Sequence, residues 1–129
     1  MTHVAHHNLV LAVHQGLAST FLLYSLVLGL WGLLLYARGG NPSGGYLGAL
    51  ILDEALAAVQ GLVGVGLLAQ GHHPHDPLHY LYGFVAVAAI PAAYFYGQGG
   101  HERKDSLIFG LAGLFLAGIS IRAMTTGGG

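Results

Sequence analysis

Long apolar runs alternate with short glycine-rich breaks, and this alternation is the strongest pattern in the chain. The first run follows "THVAHHN", stays apolar to Tyr36 and stops at "ARGGNPSGG", where Gly39-Gly40, Asn41-Pro42 and Gly44-Gly45 punctuate the backbone. The second starts at Tyr46 and ends at "QGHHPHDP", with Gly71 placed to close a helix and Pro74 just beyond. The third opens on Asp76 as cap and Pro77 in the first turn, and carries Pro91 as an expected kink before Tyr96. The fourth follows "GQGGHERKD", with Asp105 or Ser106 as cap, and frays in "TTGGG". No run alternates with period two, which excludes the strands of a barrel. Helices are predicted over residues 8–36, 46–69, 77–96 and 106–124.

Each run is long enough to cross a membrane, since about 20 apolar residues span the hydrocarbon core as a helix. Composition points to the same solvent. The 129 residues are 54% hydrophobic and only 7% charged, against about 25% charged in soluble domains. Short connections make neighbouring helices antiparallel. The expected fold is therefore all-α: an integral membrane four-helix bundle, up-down-up-down, one domain covering 1–129 and surrounded by lipid bilayer. There is no cysteine, which excludes disulfide exchange, Fe–S ligation and thiolate zinc sites. A net charge of −1 supplies no basic patch, so nucleic acid is not an expected partner. The start has no Lys or Arg before its apolar part and no small-residue cleavage pattern, so no signal peptide is expected. Arg38, Arg103 and Lys104 fall in the first and third connections, and Arg122 at the opposite end. The positive-inside rule then puts those connections in the cytoplasm, with both termini and the histidine-rich second connection outside.

That outer end gathers the candidate chemistry. At about 1.5 Å per residue, His14 lies roughly two turns into the first helix, and His79 lies in the first turn of the third. In an up-down bundle these helices can stand diagonally across the core. Two imidazoles arriving from opposite helices make the axial pair of a b-type haem. Gly61 and Gly64 in the second helix, Gly83 in the third and Gly118 in the fourth supply room for the ring at similar depth. Arg122 is placed to pair with the propionates, and Tyr82 or Gln15 to support the ligands from behind. Each feature has a plainer reading. Glycines allow close helix approach without any ligand, and "GLAGLFLAG" (Gly110, Gly113, Ala117, Gly118) reads more simply as packing. A histidine near the interface can simply reach headgroups and water. His72, His73 and His75 form an N-ligand cluster suited to Zn, Cu, Ni or Fe, which His3, His6 and His7 could complete, but Pro74 interrupts it and a solvated loop is the plainer reading.

The second helix carries Asp53 and Glu54 well inside its apolar run. An ionised carboxylate there costs at least a few kcal/mol, so it must be paired, hydrated or protonated. Asp53, Ala57, Gln60 and Gly64 share one face, which should turn inward. One reading is a proton-conducting or quinone-contacting group built on Glu54, Asp53 and Gln60. The other is a structural acid held by Tyr24, Ser25 or Tyr94, with Arg38 or Arg103 reaching it only by snorkelling. Tyr36, Tyr46, Tyr80, Tyr82, Tyr94, Tyr96 and Trp31 lie towards helix ends, as an aromatic belt would. Ser19, Ser25 and Ser120 have no base at an evident spacing, so no independent catalytic activity is expected.

"LHYLYGFVAV" and "LAGLFLAGISIRAM" carry His79, Tyr82, Gly83, Gly118, Ile121, Arg122 and Ala123. These stretches resemble a family of small four-helix bacterial membrane proteins with a His-x-x-Tyr-Gly start to helix three and a Gly-x-x-Ile-Arg-Ala end to helix four. In plan the chain is also similar to four-helix b-type membrane cytochromes, such as the cytochrome b561 group and one half of haem A synthase. The first resemblance brings no function with it, and the second is one of plan. The haem b reading rests on His14 and His79: electron transfer or haem handling in a bacterial cytoplasmic (inner) membrane, with quinone, a respiratory complex or a second copy of the chain as expected partners. Two other readings stand beside this one: a non-catalytic structural subunit of a larger membrane complex, and a metal-ion binding or transport protein using the outer histidines.

Overall fold

A computed structural model describes residues 2–97 and 99–127, with side chains from Leu9 onward. Four helices run in order: α1 (Thr2–Ala37), α2 (Gly44–Ala69), α3 (Leu78–Tyr96) and α4 (Arg103–Gly127). All four are long and apolar enough to cross a membrane. They form a ring in which each packs on its neighbour in sequence and α1 closes back onto α4, so that α1 and α3 stand diagonally. The α2–α3 seam is the most sparsely packed of the four.

Local chemistry sets the helix ends. α1 and α2 finish in the same way, with a left-handed glycine after the cap. Gly39 (φ +77°) lets the Gly40 and Gly39 N–H groups return to the Leu35 and Tyr36 carbonyls, and Gly71 (φ +83°) does the same for His72 and Gly71 onto Leu67 and Leu68. That turn folds His72 back over the end of α2. Ser43 caps α2 by accepting from the Tyr46 N–H at 3.1 Å. The Asp76 carboxylate accepts the Leu78 N–H at 2.9 Å at the head of α3, which continues as helix through Pro91. α4 starts three residues earlier than the sequence suggests. Asp105 is not its cap but sits inside the first turn, accepting the Glu102 N–H at 3.0 Å, the return half of a capping box.

The two ends of the bundle differ in packing. At the end holding the first and third connections, α1 and α4 touch backbone to backbone. A Cβ on Gly113 would fall 2.6 Å from the Gly29 nitrogen, and one on Gly110 would fall 2.8 Å from the Leu33 nitrogen. Glycine pairs on both helices are what permit this approach. Tyr46 fills the junction, fully buried, with its hydroxyl donating to the Leu28 carbonyl at 3.0 Å and its ring against Trp31 and Phe109. It is thus a core residue and not part of an interfacial belt. Arg103 donates from Nε and Nη2 to the Tyr36 carbonyl at the C-terminus of α1 and lies 4.2 Å over the Tyr36 ring. Ser106 donates to the Gly40 carbonyl at 2.9 Å. This end is closed. Towards the other end the helices diverge around a cavity.

Candidate functional site

The cavity has a volume of about 920 Å³ and is walled by all four helices and the second connection. His14, Gln15, Gln60, His72, His79 and Tyr82, with Ser19, Tyr80 and Ser120, bring polar atoms to a mostly apolar wall. This is the form of a small-molecule or cofactor site: apolar, roomy and with few polar groups.

Its central feature is a facing pair of histidines. His14 comes from α1 and His79 from the diagonal α3, with ring centroids 6.2 Å apart and planes at 70°. Two imidazole–metal bonds of about 2.0 Å each, extended at both ends from nitrogen to ring centre, add to a centroid separation of about 6 Å. The observed spacing leaves room for one metal between the rings, and it is also that of an ordinary edge-to-face ring contact.

Hydrogen bonding fixes the tautomer of His79. Its Nδ1 lies 2.8 Å from the Ala123 carbonyl and 3.4 Å from the Thr126 hydroxyl. A carbonyl only accepts, so Nδ1 carries the proton and Nε2 keeps its lone pair. That is the arrangement a ligating histidine takes, with its second nitrogen tied to a backbone carbonyl. α4 also presses on this ring: a Cβ on Gly127 would fall 2.8 Å from His79 Cε1. On the other side, Gln60 Nε2 donates to the His14 carbonyl at 2.8 Å. His14 Nδ1 and Gln60 Oε1 are buried with no hydrogen bond of good geometry, although the two side chains interact with each other.

The glycines divide into two groups. Gly29, Gly32, Gly110 and Gly113 are consumed by the α1–α4 contact. Gly61, Gly64 and Gly83 line the cavity; a Cβ on Gly61 or Gly83 would meet nothing within 4 Å, and one on Gly64 would lie 3.4 Å from His14 Cε1. Helix contact does not account for these three.

The remaining sequence candidates are placed as follows. Arg122 and Gly118 lie on the exposed face of α4, apart from the residues that line the cavity. His72 is half-buried and lines the cavity, whereas His73 and His75 are exposed. The loop trio is thus split, and its first member belongs with His14 and His79, a grouping that the position of His72 directly after Gly71 could have signalled. The side chains of His3, His6 and His7 lie outside the described residues. Among the described residues no group of three or more His, Asp or Glu is arranged to hold a metal ion. Asp53 is fully buried on the inward stripe of α2 and accepts from Ser25 Oγ at 2.7 Å. Tyr24 instead donates to the Ala49 carbonyl, Tyr94 is exposed, and Arg103 is engaged with Tyr36, so Ser25 is the hydroxyl that holds the acid.

No family model, no curated protein and no solved structure matches the chain. What stands is the architecture: four apolar helices, each long enough to cross a membrane, packed as a bundle.

Proposed function

We propose that this chain is a membrane haem-binding protein of b-type cytochrome plan, holding one haem between His14 and His79. The single observation that carries the reading is the 6.2 Å spacing of two imidazoles from diagonal helices across a cavity of about 920 Å³. The residues present fit the group. His79 offers Nε2, His14 faces it, and Gly61, Gly64 and Gly83 leave the flanking space open. A haem held this way supplies one-electron Fe(III)/Fe(II) chemistry, tuned by its axial ligands and their hydrogen bonds. With both histidines engaged, such a group would have no free position for a substrate, which favours electron transfer or haem handling over catalysis. The Ala123 carbonyl orients the His79 ring and Gln60 ties α2 to the His14 backbone, while mostly apolar side chains from all four helices line the space. His72 is the cavity-lining hydrogen-bond donor for a propionate, in place of Arg122, which lies on the exposed face of α4.

The test is haem content per chain in protein purified from haem-replete cells, for the wild type and for His14→Ala and His79→Ala. The reading expects about one haem per chain in the wild type and loss of most of it in each variant. A colourless wild type would favour a structural subunit instead.

A further inference from the structure

Four buried side-chain atoms among the described residues make no hydrogen bond of good geometry, His14 Nδ1, Gln60 Oε1, Asp53 Oδ1 and Glu54 Oε1, although the His14 and Gln60 side chains interact with each other. Buried polar atoms are nearly always satisfied, so unpaired ones are informative where they cluster. All four fall on one stretch of α1 and α2. Asp53, Ala57, Gln60 and Gly64 share the inward stripe of α2, with Glu54 beside it. Ala57 and Gln60 already line the cavity, and Gln60 is bonded to His14. From Gln60 to Asp53 the helix rises about 10 Å. Asp53, 0% exposed, thus lies about two turns deeper than the cavity-lining Gln60 on the same face, with the buried Ala57 between them.

On the far side of Asp53, the hydroxyls of Tyr46 and Tyr24 are both spent on backbone carbonyls, those of Leu28 and Ala49. Leu28, Leu50 and Phe109 close the interior beyond, where α1 and α4 meet through glycine. Charge compensation is lacking as well. The groups near Asp53 are Tyr24 and Ser25 on α1 and Tyr46 and Glu54 on α2. α3 carries no Asp, Glu, Lys or Arg, and α4 carries none between Ser106 and Ile121. A bare negative charge in that setting has neither water nor a cation to stabilise it. Ser25 supplies one hydrogen bond, to Oδ2, and leaves Oδ1 in need of a hydrogen.

We propose that Asp53 is a proton-binding site inside the bundle, with the proton on Oδ1, Ser25 Oγ donating to Oδ2, and exchange occurring one-sidedly from the histidine cavity past Gln60. The step is proton transfer alone: an O–H bond of hydronium at the cavity breaks, an O–H bond forms at Asp53 Oδ1, a water molecule is left, and no electron moves. Because the closed end blocks onward passage, the site stores a proton and does not conduct one across the membrane. It stands on the α1–α2 interior and holds with or without haem in the cavity.

Infrared spectroscopy of the full chain in lipid at neutral pH tests this directly. A protonated carboxyl C=O band is expected in the wild type, shifted on transfer to heavy water and absent from Asp53→Asn. Ser25→Ala, which removes the hydrogen bond while keeping the acid, should move the band to higher frequency without abolishing it. Asn is nearly isosteric and can still accept from Ser25; a matching elution profile and thermal midpoint show that it folds. No acid band in the wild type overturns the proposal. So does a band that survives Asp53→Asn and disappears in Glu54→Gln, since the proton would then sit on the neighbour. A band unmoved by heavy water overturns access from the cavity.

Discussion

His79 gives its Nδ1 proton to the Ala123 carbonyl 2.8 Å away, while its ring stands 6.2 Å from that of His14. The first contact ties α3 to the last turns of α4; the second spans the diagonal of the bundle. One side chain therefore couples three helices, and what it couples them around is a cavity. Stability and ligand binding are divided along the bundle axis. Glycine contacts and a buried tyrosine close one end, and glycines without helix partners line the space at the other.

The two glycine groups should respond oppositely to substitution. Gly113→Ala drives a methyl into the Gly29 backbone, and overpacking of this kind costs about 1–3 kcal/mol. Its thermal or denaturant midpoint in detergent should fall clearly below that of the wild type. Gly64→Ala should be near neutral, because its Cβ would make only an ordinary contact with His14 at 3.4 Å.

Gly64→Leu separates space from stability. The larger side chain projects into the cavity beside His14, so haem retained through purification should drop several-fold while the apoprotein midpoint stays within about 0.5 kcal/mol of wild type. Equal loss of both would mean that the cavity is a packing defect and not a site.

Tyr46→Phe removes a buried hydroxyl that donates to the Leu28 carbonyl at 3.0 Å. That carbonyl lies within α1, so the expected loss is that of one hydrogen bond, about 1 kcal/mol. Haem content should not change, since Tyr46 sits at the closed end. The check is the unfolding midpoint read together with haem per chain.

How much of this was legible beforehand follows from what a membrane helix hides. Helix number and order were readable because the apolar runs are separated by glycine and proline, and the turns at Gly39 and Gly71 do end α1 and α2. The inward stripe of α2 was readable because Asp53 and Gln60 mark it. α1 carries no such mark. Its inward face (Phe21, Ser25, Leu28) and its lipid face (Leu23, Val27, Leu30, Leu34) are both apolar at the same spacing, so periodicity cannot tell core from lipid. For that reason Gly29 and Gly32 were missed as the partners of Gly110 and Gly113, and Tyr46 was taken for a belt residue. Depth along the axis was easier than rotation about it. His14 and His79 were matched by depth and do meet, whereas Arg122 and Gly118 share that depth but face outward.

The division of the loop histidines gives a further expectation. His73 and His75 are exposed, and replacing both with Ala should leave the haem spectrum unchanged. His72 lines the cavity, so His72→Ala should shift the reduction potential or weaken haem retention. A double variant at His73 and His75 that loses haem would move the site into the loop.

The most direct test of the central claim is a visible absorption spectrum of the detergent-purified protein, oxidised and then reduced with dithionite. A bis-histidine haem predicts a Soret band that sharpens and shifts on reduction, with resolved α and β bands. A flat spectrum from protein made with ample haem, or a broad high-spin spectrum with only one histidine bound, would contradict ligation by His14 and His79 together.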